Sequence, residues 1–152
     1  MKLSLKIPPL ALGVITLSLI WLVDRYVPIL HVKFMYQNIV ASVISGSGFF
    51  VALSGILAFR KLKTTVDPRY PEKVSKLVII GIYKHSRNPM YLGMLLALIG
   101  FVIYLGSPSG TVIICLFVSF INKYQIVPEE KVLQEKFGED FAHYTRSVRR
   151  WV

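Results

Sequence analysis

Apolar residues in this chain come in blocks, and most of the charged residues are pushed into the intervals between them. Residues 7–23 make the first block, 38–59 the second, 90–104 the third and 111–121 the fourth. The second runs for about 22 residues, enough for a helix to cross a hydrocarbon core of roughly 30 Å. Between the third and fourth lies Gly106-Ser107-Pro108-Ser109-Gly110, an uncharged turn sequence, so these two short blocks are predicted to form a helical hairpin. The fourth is predicted to continue to about residue 127, carrying Asn122, Lys123 and Gln125 into a polar site or the interface. From residue 128 the pattern changes. Leu133, Phe137, Phe141, Tyr144, Val148 and Trp151 fall along one face, Gly138 interrupts, and charges fill the rest, which predicts an interfacial amphipathic helix rather than a fifth span. Lys2 and Lys6 ahead of the first block resemble a signal peptide. No small-x-small cleavage pattern follows before Trp21, Asp24 and Arg25, so a retained span is expected.

Composition agrees with the pattern. Of 152 residues, 54% are hydrophobic, and the mean hydropathy is +0.57. That is too apolar for an ordinary soluble domain of this size. The predicted fold is all-α: a polytopic membrane helical bundle of about four transmembrane helices plus a C-terminal amphipathic interfacial helix. It forms a single integral membrane domain over residues 1–152, with spans at about 7–23, 38–59, 90–104 and 111–127.

The net charge of +10 does not point to nucleic acid, because the basic residues flank apolar blocks. Eight Lys/Arg lie between Arg60 and Arg87 and six from Lys123 onward, and with Lys2 and Lys6 these make sixteen of eighteen on one side of a four-span arrangement. Only Arg25 and Lys33 fall on the other. The positive-inside rule then puts both termini in the cytoplasm of a multi-pass protein of the cell or inner membrane. Three spans would put the two richest basic segments on opposite faces. Ala41, Ser45, Gly48, Ala52 and Gly55, spaced four, three, four and three, line one face of the second block; Gly93, Ala97 and Gly100 do so in the third. Small residues at these intervals let helix backbones approach closely, and bundle packing explains them fully. The lone Cys115, inside an apolar run, is expected to face lipid or neighbouring helices.

Polar residues concentrate in two segments on the predicted cytoplasmic side, about 64–93 and 128–150. Asn88-Pro89 reads as a helix start, with Asn at the cap and Pro at the first helical position. Pro128-Glu129-Glu130 reads as another, with carboxylates favoured by the macrodipole. Taken singly, Glu129 and Glu130 are capping residues, Arg149 and Arg150 membrane-surface anchors, and His85 an interfacial histidine. Three scattered histidines give no metal site, and there is no GxGxxG or phosphate loop.

Their order says more. Leu77-Val78 through Gly81-Ile82-Tyr83, then Arg87-Asn88-Pro89-Met90-Tyr91-x-Gly93, then Glu129-Glu130-x-x-Leu133 and Phe137-Gly138-Glu139-Asp140-Phe141, resembles the isoprenylcysteine carboxyl methyltransferase family, above all its small prokaryotic members. The match runs from about residue 64 onward. Asn88 stands where the eukaryotic enzymes have histidine, so that position cannot carry a proton at neutral pH. Asp140 stands where many relatives have glutamate.

The resemblance implies an S-adenosylmethionine-dependent methyltransferase acting on a lipophilic, membrane-embedded acceptor that enters from lipid, most simply by carboxyl methylation. Lys84, His85, Arg87 and the helix start at Asn88 suit the methionyl carboxylate of the cofactor. Glu129 or Glu130 suits the ribose diol, and Tyr83 and Tyr91 suit the adenine or the sulfonium. A carboxylate acceptor needs a cation to orient it, for which Arg146 is the candidate. An amine or hydroxyl acceptor needs a base, for which Asp140 or Glu130 is the candidate. Two other classes share the pattern. One is a membrane sterol-type reductase using NADPH, for which the chain is short; the other is a non-catalytic accessory or transport subunit of the same fold.

Overall fold

The computed structural model describes residues 8–27, 29–62 and 74–152, so part of the 64–93 segment lies outside the described residues. Five α-helices account for most of them: α1 (Pro9–Tyr26), α2 (Gln37–Lys61), α3 (Pro89–Leu105), α4 (Gly110–Ile121) and α5 (Val127–Ser147). A short 3-10 turn, Gly81–Lys84, precedes α3, and a π-helical segment, Asn122–Ile126, joins α4 to α5. No strand occurs among the described residues. Three helical stretches are long and apolar enough to cross a membrane, Pro9–Tyr26, Gln37–Lys61 and Gly110–Ser147, and α3 is a shorter apolar helix beside them. The protein is an integral membrane helical bundle.

The most extensive packing is between α2 and α3, and the small residues make it possible. A methyl group on Gly48 would lie 2.6 Å from the Gly93 carbonyl oxygen, and one on Gly93 would strike the Gly48 carbonyl in turn. Gly100 lies against Ser45 and the Ala41 carbonyl in the same way. α1 packs on the other side, against α3 and α4. Large apolar side chains such as Leu10 and Val14 on α1, and Val43, Phe49 and Phe50 on α2, are exposed, as lipid-facing residues would be. Cys115 is exposed on α4.

The turn that ends α3 is tied to the α1–α2 connection by two devices. Gly106 ends α3 with φ 68°, and its carbonyl accepts from the Val32 N–H at 2.8 Å. Gln37, at the start of α2, donates from Nε2 to the last carbonyls of α3, Ile103 (2.8 Å) and Tyr104 (3.1 Å). Carbonyls that the helix leaves without partners are thereby satisfied.

The C-terminal part departs from the sequence reading in two respects. Pro128 does not start a new helix, because the chain runs helically from Gly110 to Ser147 through the π segment. Proline removes one backbone donor and crowds the preceding turn, and the wider π turn immediately before it accommodates that. Glu129 and Glu130 therefore sit in mid-helix, where no dipole terminus stabilises them. The apolar face of the tail is also turned inward: Phe141, Tyr144 and Val148 are buried together, packed by Leu77, Leu133 and Phe137. Gly138, at φ 52° and ψ −121°, kinks α5 and lets its last turns fold back over the bundle.

Candidate functional site

The start of α3, the 3-10 turn and α5 converge on a cavity of about 620 Å³. One wall is apolar: Pro8, Pro9 and Leu10 from the start of α1, and Ala52, Ile56 and Phe59 from α2. From α5 come Glu129, Glu130, Leu133, Phe141 and Tyr144. The rest of the lining is Tyr83, Arg87, Asn88, Met90, Tyr91 and Met94, with Val74, Leu77 and Val78.

The 3-10 turn turns Tyr83 inward, where its ring meets Phe59 edge-on with centroids 5.5 Å apart. The Tyr144 hydroxyl donates to the Tyr83 carbonyl at 2.7 Å, tying α5 to this turn. Burial pushes the Tyr83 phenol well above its ordinary pKa, with Glu129 and Tyr144 adding to the shift. Burial also raises Tyr144, against the nearby Arg87 guanidinium. Both stay protonated at any physiological pH.

The two adjacent glutamates have different surroundings. Glu130 is held by two cations: Arg150, through Nε to Oε1 (3.2 Å) and Nη2 to Oε2 (2.6 Å), and Arg87, through Nη2 to Oε1 (3.3 Å). Glu129 accepts a hydrogen bond at Oε2 from the Tyr91 hydroxyl, at 3.4 Å. Burial pushes its pKa up to about 8; the Tyr91 hydrogen bond opposes that and the charge of Glu130 adds to it. Arg87 Nε is a buried donor with no hydrogen-bond partner among the described residues. A buried unpaired donor costs free energy unless something binds there, so the cavity offers an anion-seeking cation beside a carboxylate that is easily neutralised.

The family assignment adds to this geometry. The phospholipid methyltransferase family matches residues 36–140, more than half of the chain. The chain belongs to that family. Within it, the chain is like the isoprenylcysteine carboxyl methyltransferases. It is 28% identical over 96 residues to two probable protein-S-isoprenylcysteine O-methyltransferases of rice, from Oryza sativa subsp. indica and subsp. japonica, covering 63% of this chain and 50% of each relative. The chain thus spans about half the length of those relatives. It is also 38% identical over 63 residues to an uncharacterized protein of Haemophilus influenzae, covering 41% of this chain and all of that one. No solved structure matches.

In this member of the phospholipid methyltransferase family, six of the ten residues singled out from the sequence line the cavity: Tyr83, Arg87, Asn88, Tyr91, Glu129 and Glu130. Four do not. Lys84 and His85 are exposed, because the tight turn that points Tyr83 inward points its successors out. Asp140 and Arg146 are exposed as well, since the inward face of α5 is set by Phe141 and Tyr144 and neither residue shares it. Asn88 does precede α3, yet its side chain caps nothing there; Nδ2 donates instead to the Arg150 carbonyl at 3.0 Å. Arg150, read from the sequence as a surface anchor, is drawn into the site. Twenty residues separate it from Glu130, and no local spacing rule connects them.

Proposed function

We propose that the protein is an S-adenosylmethionine-dependent methyltransferase acting on a lipophilic acceptor that reaches the cavity from the membrane, with both termini in the cytoplasm. The observation that carries this reading is a single cavity in which a methyltransferase-family polar set faces an apolar wall built from α1 and α2. The fit to the cofactor rests on the residues present. Arg87 Nε is a buried donor suited to a carboxylate, Glu129 is an acceptor suited to a ribose diol, and Tyr83 and Tyr91 offer aromatic faces to a sulfonium.

When bound among Arg87, Glu129, Tyr83 and Tyr91, the cofactor would supply a methyl group activated by a positive sulfur, which would leave as the neutral thioether. The protein's work is to hold the two reactants in line and to exclude water. The apolar α1–α2 wall and the Leu133–Phe141–Tyr144 cluster of α5 exclude water, while Arg87 and Glu129 orient. A carboxylate acceptor needs no base. Transfer to a hydroxyl or amine would need one, and the exposed Asp140, outside the cavity, does not supply it.

Calorimetry of the purified protein with S-adenosylhomocysteine and with NADPH tests the cofactor. Transfer of labelled methyl groups from S-adenosylmethionine to a lipophilic carboxylic acid in vesicles tests the reaction. Binding of S-adenosylhomocysteine and not NADPH is expected. The reverse outcome would place the protein with the reductases, and binding of neither would leave it a non-catalytic subunit.

A further inference from the structure

Beyond α5 the backbone is extended, with Val148 at φ −126° and ψ 131°, and it crosses the start of α3 as a strap. The Arg87 N–H donates to the Arg149 carbonyl at 3.1 Å, Asn88 Nδ2 to the Arg150 carbonyl, and Trp151 Nε1 to Asn122 Oδ1 at 3.2 Å. This fixes the Arg150 guanidinium against Glu130, where it engages both carboxylate oxygens. Arg87 reaches the same carboxylate through one longer contact, 3.3 Å, and leaves its buried Nε without a partner among the described residues. Two guanidinium groups thus share one carboxylate unequally.

We propose that Arg150 is a positioning residue that occupies Glu130 so that Arg87 stays available to an anionic group in the cavity. A carboxylate pairs most strongly with a guanidinium that meets it at two points. Without Arg150, Glu130 takes Arg87 in that manner and removes it from the cavity. Charge counting agrees: with Arg150 the site carries one more positive charge toward an incoming anion than Arg87 and the glutamates carry alone. This role rests on the reading above that Arg87 receives the cofactor's carboxylate, and it adds a residue that touches neither reactant.

The test is calorimetry on the full chain with two ligands that share the adenosine group: S-adenosylhomocysteine, which has the amino-acid carboxylate, and 5′-methylthioadenosine, which lacks it. Arg150→Gln is expected to weaken S-adenosylhomocysteine about tenfold, the scale of losing a charge-assisted hydrogen bond, and to leave methylthioadenosine unchanged. Glu130→Gln added to Arg150→Gln is expected to restore the affinity, because a neutral amide no longer captures Arg87. A merely structural strap predicts something else: both ligands weakened alike, and a double variant no better than the single one. Either result overturns the positioning role, as does an Arg150→Gln protein that binds S-adenosylhomocysteine like the wild type. If Arg150→Gln and Arg87→Gln are both silent toward S-adenosylhomocysteine while the wild type binds it, Arg87 meets no carboxylate and the role falls with that assignment. A wild type that binds neither ligand overturns the cofactor reading itself, and the positioning role with it.

Discussion

Glu129 and Glu130 are chemically identical neighbours in the chain, and the fold separates them by what lies opposite. Glu130 faces two guanidinium groups, so its charge is compensated and its oxygens are engaged. Glu129 faces apolar surface and one tyrosine hydroxyl, and its pKa rises from 4.5 to about 8. The sign of the consequence follows. Between these two values the folded protein holds a proton that the unfolded chain has lost, so this group lowers stability as pH rises through that window. If the ionised form accepts the ribose hydroxyls, ligand binding must expel the proton below pH 8. Affinity for S-adenosylhomocysteine is therefore expected to climb from pH 6.5 to about 8 and then level off, with at most about a tenfold gain per pH unit. Glu129→Gln should abolish that slope and lower affinity at pH 8.5 by about tenfold to a hundredfold, since a hydrogen bond to a charged group contributes roughly 1.5–3 kcal/mol. Titrations at three pH values check both; a variant retaining the slope would assign it to another group. By contrast, Arg146→Ala and Asp140→Asn alter exposed side chains outside the cavity. Methyl-transfer rates within about twofold of wild type are expected for both, and a large loss in either would return that residue to the catalytic set.

The α2–α3 pair is the element on which the site is built, because Arg87 and Asn88 lead directly into α3, Tyr91 lies in its first turn, and α2 fixes where that turn lies. The glycine contacts have no room for a methyl group, and the obstructing atoms at Gly48 and Gly93 include backbone oxygens that cannot rotate away. Gly48→Ala or Gly93→Ala should cost about 1–3 kcal/mol, as overpacking does, and should lower the thermal midpoint in detergent. Gly46→Ala on the same helix, where nothing lies within 4 Å, should leave it unchanged. These stripes were legible in the sequence because helix packing in lipid repeats every three to four residues, a local period. The helix spans and the turn at 106–110 were legible for the same kind of reason. What local patterns did not carry was the path of the chain after residue 127. The periodicity of Leu133, Phe137, Phe141 and Tyr144 identifies an amphipathic helix correctly, but periodicity does not say whether the apolar face meets lipid or protein. Here it meets Leu77 and the cavity. The pairing of Arg150 with Glu130 depends on that long-range docking, so the sequence offered Arg150 only as a charge near an interface.

At the scale of the whole molecule, the proposed function requires the cavity to join two solvents: its polar set must be open to a water-soluble cofactor, and its apolar residues from α1 and α2 to lipid. That division requires the start of α3, the strap and α5 to lie on one side of the membrane and the α1–α2 and α3–α4 connections on the other. Four crossings give this arrangement, and sixteen of eighteen Lys/Arg then fall on the same side as the cavity's polar residues. The Lys/Arg bias of the segments flanking the spans sets their orientation, so that side should be cytoplasmic, where S-adenosylmethionine is made. Cysteine labelling decides it. In a Cys115→Ser background, which removes the native exposed thiol, single cysteines at the exposed positions Lys33, Pro108, Glu139 and Val152 can be treated in intact cells with an impermeant thiol reagent. Lys33 and Pro108 should react from outside; Glu139 and Val152 should react only after the membrane is opened. External labelling at Glu139 or Val152 would put the strap and Glu130 on the far side from the cofactor pool, and the methyltransferase reading would then lose its supply of substrate whatever the cavity binds in detergent.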